Sequence, residues 1–208
     1  MIRETYLDTA LTAAALLRQP ALAARWREPS ALPGFSIGGL ARHLANQVTV
    51  TPAHLAGAPG AAAVPVLQHY TRSTWVASGI DSDANVGIRS RGEAAAAELT
   101  PGTLADEVDA AIETLRQVLP GAPADRVIDL GDWGLTLEDF LHTRVMELVV
   151  HGDDLAVSLG VPTPDVPPAA TEATIALLAR VAAWRHGPLA VVRALARQER
   201  APRTIAAL

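Results

Sequence analysis

The chain has 208 residues, of which 50% are hydrophobic and 19% charged, and its formal net charge at pH 7 is −5. That balance excludes a disordered chain, argues against a nucleic-acid partner and gives no electrostatic reason to lie on an anionic membrane. With no cysteine, the chain builds neither a disulfide nor a thiolate metal site, so any thiol chemistry takes its thiol from outside. Aromatic residues are sparse at 4%, which leaves Ala, Leu and Val to fill the core, and alanine and leucine favour helices.

The first element is an amphipathic helix over residues 4–19, with Leu7, Leu11, Ala14 and Leu16 or Leu17 on one side. Charges at Arg3, Glu4 and Asp8 distinguish this N-terminus from a signal peptide or a membrane span, so a cytoplasmic protein is expected. "WREPSALPGFSIGG" then breaks the pattern with prolines and glycines and reads as a loop. Ser36 is placed to cap a second helix carrying Leu40, His43, Leu44 and Gln47, which Pro52 kinks or ends. "APGAAAVP" is a connector, followed by a helix over 65–78 and a less regular one over 84–99. Thr103, with Asp106 three residues on, is expected to open the helix that runs to Leu119. "RVIDLGDWG" is the one stretch with strand character. Thr136 and Asp139 cap a long helix ending near Leu159; a proline-rich connector at 161–168 leads to helices over 169–186 and 189–199.

Several substantial helices with short connections and no convincing sheet make an all-α bundle. No glycine-rich phosphate loop follows a strand, and no G-x-S-x-G occurs. The expected organisation is a helical bundle over residues 1–160, with a proline-rich connector and C-terminal helical extension at 161–208 packed on the same domain.

Chemistry concentrates in the 136–159 helix. Leu141, Val145, Leu148, Leu155 and Leu159 form one apolar face, and Arg144, Glu147, His151 and Asp154 form a polar stripe beside it. Glu147 and His151, four residues apart, sit about 40° apart around the helix. This stripe is either a solvent edge with Glu147 paired to His151 or Arg144 at helical spacing, or half of a site. His43, on the second helix among mostly apolar neighbours, offers the other half. Two helices of a bundle can bring His43 together with Glu147 and His151. Three N and O donors with an open fourth position suit catalytic zinc, and also admit nickel, cobalt or iron. Asp154 is then placed to orient His151 or to take part directly. Arg144 is placed to bind a carboxylate or to pair with Glu147, and Arg42 is a weaker candidate for the same role.

"WREPSALPGFSIGGLARHLA" and "TRVMELVVHGDDLA" together resemble the metal-binding domain of the mycothiol-dependent maleylpyruvate isomerase family, within the DinB-like superfamily of four-helix bundles. The matching positions are Trp26, Pro29, Ser30, Leu32, Pro33, Gly34, Phe35 and Ser36 ahead of His43, then Glu147, His151 and Asp154. Phe35 stands where tryptophan is common, and Asp153 where many members carry tryptophan. The isomerase's further C-terminal domain is larger than residues 161–208.

The resemblance implies a DinB-like four-helix bundle with extra short C-terminal helices. It implies a divalent metal, zinc first, held by His43, Glu147 and His151, with Arg144 and Asp154 as catalytic candidates beside it. It also implies mycothiol as co-substrate and a small electrophile as substrate, with transfer, addition or isomerisation as the reaction. A homodimer is compatible with it. Two other readings stay open: a metal-dependent hydrolase with water in the open position, and a bundle that binds metal or ligand without turnover.

Overall fold

The computed structural model describes residues 1–59, 62–79 and 81–208. In chain order the elements are α1 (Ile2–Leu17), α2 (Pro20–Arg25), α3 (Ile37–Thr49), α4 (Thr51–Ala56), α5 (Val66–Arg72), α6 (Thr74–Ala77) and α7 (Asp83–Ala97). They continue with α8 (Pro101–Val118), strands β1 (Val127–Asp129) and β2 (Gly134–Thr136), α9 (Leu137–Leu159), α10 (Pro168–His186) and α11 (Pro188–Ala196). The middle of the expected 58–65 connector, residues 60 and 61, lies outside the described residues.

The fold is the expected all-α, DinB-like bundle. α1 and α3 each pack against both α8 and α9, closing a four-helix ring. Leu40 and Leu44 of α3, Leu104 and Leu115 of α8, and Leu141, Val145 and Leu155 of α9 are fully buried together in its core with Tyr6 and Leu17 of α1. Each such leucine contributes about 1.5–3 kcal/mol on leaving water. α7 packs on α3, and α10 packs on α9 and carries α11. A second apolar cluster joins Val66 and Tyr70 of α5 to Met146 of α9, Leu177 and Val181 of α10 and Val191 of α11. α9 is thus covered on two sides, which explains why its sequence is apolar beyond a single stripe. No helix among the described residues is long and apolar enough to cross a membrane.

Local chemistry sets the ends of the helices that matter. The Ser36 hydroxyl accepts the Gly39 N–H at 3.0 Å and starts α3. Thr136 does the same for Asp139 and starts α9, which Gly160 ends in the left-handed region at φ +70°. Pro52 does not kink α3, which ends at Thr49; it sits in the first turn of the short α4, where its missing N–H costs nothing.

Two elements differ from the sequence reading. α8 starts one turn earlier than expected: Thr100 is the cap, Thr103 returns the bond at the third helical position, and Pro101 leads the helix. Asp106 faces Arg18 across to α1 and caps nothing. The helix expected over 65–78 breaks at Ser73, whose N–H and hydroxyl both donate to the His69 carbonyl while its backbone turns extended. Serine offers the chain that local alternative to the helical ladder.

The stretch with strand character forms a two-stranded antiparallel hairpin, pairing Val127 with Thr136 and Ile128 with Leu135. Ile128 and Leu135 anchor it in the main core. Its turn needs Gly131 at φ +95°, and the Asp129 carboxylate accepts the Gly131 N–H at 2.9 Å. The hairpin therefore holds Trp133 at a fixed place beside α5.

Candidate metal centre

His43 on α3 and Glu147 and His151 on α9 converge where these two bundle helices pack. One ligand atom from each lies within 4.8 Å of the others. Glu147 Oε2 is 3.1 Å from His151 Nε2 and 3.6 Å from His43 Nε2. With metal–ligand bonds of about 2.0–2.1 Å, tetrahedral ligands stand about 3.4 Å apart, so these two edges already have the right length. The His43 and His151 rings meet edge to face at 4.6 Å, and Phe35 lies against His43 at 5.8 Å. Glu147 forms the floor at 8% exposed, while the His43 and His151 side chains keep 21% and 16% of their surface.

The electrostatics fit a cation. Burial pushes the Glu147 carboxyl up, but hydrogen bonds from His151 and His43 outweigh it and hold the group well below the ordinary carboxylate range. Burial pushes His151 down, but Asp154 and Glu147 outweigh it and raise the ring to about 9. Glu147 is therefore a buried anion whose polar partners are two imidazoles, and a proton or a divalent ion offsets its charge. Asp154 Oδ2 lies 3.0 Å from His151 Nδ1. It takes that N–H and leaves Nε2 facing the triad, the usual task of a carboxylate behind a ligand histidine.

Arg144 does not pair with Glu147. Its Nη1 donates to Gln47 Oε1 at 2.7 Å, its Nε to Thr143 Oγ1 at 3.1 Å, and its guanidinium lies 5.0 Å from the Phe140 ring centre. Gln47 in turn donates to the His43 carbonyl at 2.9 Å, and its own carbonyl accepts the Tyr6 hydroxyl. Arg144 is thus tied through Gln47 to the helix that presents His43. Arg42 points elsewhere and pairs with Glu107 of α8 at 2.7 Å.

The sequence reading did not single out His69 or Trp133. The Trp133 indole N–H donates to His69 Nδ1 at 3.1 Å, joining the hairpin to α5. Burial and the Arg144 charge lower the His69 ring to about 4, against a smaller opposing effect of Glu147. His69 is therefore neutral at pH 7, and both site charges act on it. No spacing rule links residues 69 and 133 to α9; an indole in an Asp-Trp-Gly turn was the only local signal.

The family described as the mycothiol maleylpyruvate isomerase N-terminal domain matches residues 7–156. No curated protein matches the chain. Two solved structures are similar, a mycothiol-dependent maleylpyruvate isomerase and a histidine-to-alanine mutant of it. Each is 19% identical over 86% of this chain and 68% of the other, with a TM-score of 0.49.

Proposed function

Because the chain belongs to the mycothiol maleylpyruvate isomerase N-terminal domain family, we propose that it is a metal-dependent enzyme presenting mycothiol to a small electrophile. The observation that carries this reading is the convergence of His43, Glu147 and His151 within 4.8 Å. Zinc suits the two nitrogens and one oxygen, and a fourth position remains for an external ligand. A divalent ion bound there would lower the pKa of a thiol in that position, so that the nucleophilic thiolate exists near neutral pH. Without a cysteine, the chain depends on a thiol supplied from solution.

The chain's own residues do the rest. His43 and His151 would hold the ion from two helices whose caps, Ser36 and Thr136, fix where each helix begins. Glu147 supplies the negative charge and the buried floor. Asp154 holds the His151 ring in the orientation that turns Nε2 inward. The partly exposed His43 and His151 rings leave the open position accessible from solvent. Transfer, addition and isomerisation all begin with the same thiolate attack, so the site serves any of them.

The experiment is cobalt substitution followed by mycothiol titration. Thiolate coordination adds a charge-transfer absorption that water and carboxylate ligands lack, and binding should release a proton near neutral pH. A band growing to saturation supports the thiol reading. A spectrum unchanged at millimolar mycothiol overturns it in favour of water-based hydrolysis or binding without turnover.

A further inference from the structure

One turn from the metal triad, α3 and α9 are joined by a hydrogen bond between side chains. His43 faces Glu147; one turn on along α3, Gln47 faces Arg144, one turn back on α9, so the two helices run antiparallel here. Arg144 Nη1 donates to Gln47 Oε1 at 2.7 Å, and Gln47 Nε2 donates to the His43 carbonyl at 2.9 Å. Both ends of the amide are therefore used, and a guanidinium only donates, so the amide cannot turn over without setting donor against donor. Gln47 is buried at 4% exposed, and its backbone carbonyl accepts the hydroxyl of the fully buried Tyr6 on α1. Arg144 is steadied from its own helix by Thr143 Oγ1 and the Phe140 ring.

The packed faces of α3 and α9 are otherwise largely apolar, with Leu40, Leu44, Leu141 and Val145 in one core cluster. Hydrophobic attraction has no direction. It tolerates small helix rotations that a hydrogen bond, which weakens steeply off line, resists. A metal ligand needs that resistance. An imidazole nitrogen lies about 5–6 Å from the axis of its helix, so turning α3 by about 10° moves it about 1 Å. A working site tolerates only about 0.5 Å.

We propose that Gln47 and Arg144 are positioning residues for the metal centre: their hydrogen bond fixes the rotation of α3 against α9 and so holds the His43 imidazole opposite Glu147 and His151. Neither belongs to the ligand set. Glu147 and His151 share one helix and keep their spacing whatever α3 does. His43 is the ligand brought from elsewhere, and its own carbonyl is the group that Gln47 holds. With Arg144 directed to Gln47, the Glu147 carboxylate keeps its charge for the two imidazoles and the ion. A buried polar pair that only stabilised the fold would serve all three ligands alike; this one serves His43. The proposal rests on the metal reading of the triad and is independent of the thiol.

The test is the zinc affinity of the full chain, by competition with a chromophoric chelator, with the absorption spectrum of cobalt-loaded protein as a second readout. Gln47→Met and Arg144→Met keep most of the side-chain length but remove the bond. Each should weaken zinc about 10- to 100-fold, and the double variant no more than the larger single one. Gln47→Glu keeps the acceptor for Arg144 and should stay within about threefold of the wild type. The cobalt spectrum of either methionine variant should approach that of His43→Ala. In a His43→Ala background, Gln47→Met should leave the residual affinity unchanged, because no ligand remains for it to position. Circular dichroism and melting establish that each variant is folded; if Gln47→Met does not fold, Arg144→Met and Gln47→Glu decide. Wild-type affinity in the folded methionine variants, an equal loss with and without His43, or no rescue by Gln47→Glu overturns the proposal. Wild-type protein that takes up no metal on reconstitution ends the metal reading and this proposal with it. A cobalt spectrum unchanged by mycothiol ends the thiol reading alone and leaves the positioning role standing.

Discussion

The triad of His43, Glu147 and His151 and the Trp133–His69 pair are built differently. The triad hangs on α3 and α9, long capped helices whose buried faces leave little freedom in rotation. The pair hangs on the seven-residue α5 and on a hairpin of two three-residue strands, joined by one hydrogen bond from Trp133 to His69. Side chains on long bundle helices are held more rigidly than side chains on short elements.

The largest test of that division removes a ligand. His43→Ala or His151→Ala should reduce the metal content of purified protein from near one ion per chain to a small fraction, measured by elemental analysis. Glu147→Gln should weaken binding less, since an amide oxygen still coordinates without the charge. Wild-type protein that takes up no metal even on reconstitution would dissolve the comparison altogether.

Next comes stability. An ion that binds only the folded bundle stabilises it by about 4 kcal/mol at a thousandfold excess over Kd, a rise in Tm of roughly 8–16 °C for a chain of this size. Chelation should lose that rise, and zinc should restore it. An unchanged melting curve after demonstrated metal loss would mean the triad lies on a surface that is rigid without metal.

The pH dependence separates the two forms. In the metal-free protein, His151 is raised from 6.5 to about 9, so its contribution is fully present below about 6.5 and is lost as pH rises through 9. Glu147 is depressed, so its contribution is present above the ordinary carboxylate range and is lost on acidification through its lower folded value. Chelated protein should therefore lose stability, by a few kcal/mol, between about pH 6.5 and 9. A metal bound at His151 would displace its proton, so metal affinity should rise with pH over the same window and flatten above it. Denaturation of chelated protein across that range, with a flat profile, would refute the assignment of the proton to His151.

A smaller effect belongs to Asp154. Asp154→Asn should lower metal affinity about 10- to 100-fold without removing the site, as read by competition with a chromophoric chelator; unchanged affinity would free Asp154 from its orienting role. Smallest of all, Arg42→Ala breaks a pair whose Glu107 partner is exposed, and should change stability by less than about 1 kcal/mol and metal content not at all.

The triad was legible in the sequence because helical periodicity is a rule of angle. Glu147 and His151 share a face wherever α9 forms, and Ser36 announces the helix that brings His43. Asp154 followed from the same spacing. The partner of Arg144 did not: the stripe offered Glu147 at helical distance, and the structure chose Gln47, on another helix. Thr103 and Asp106 satisfied the capping pattern, yet Thr100 with Pro101 satisfied it better one turn earlier. The break at Ser73 turned on a hydroxyl competing for one carbonyl.

By itself, then, the sequence determined the all-helical class, the long elements and the faces on which His43, Glu147, His151 and Asp154 stand. These are local matters of propensity, capping and period, settled within a few turns of chain. Only the tertiary structure decided which faces meet: that α3 and α9 pack with their imidazoles around Glu147, that Arg144 reaches Gln47, and that Trp133 fixes His69 beside them. Those contacts join residues dozens of positions apart, and their partners are chosen by packing and burial, which leave no period in the chain to read.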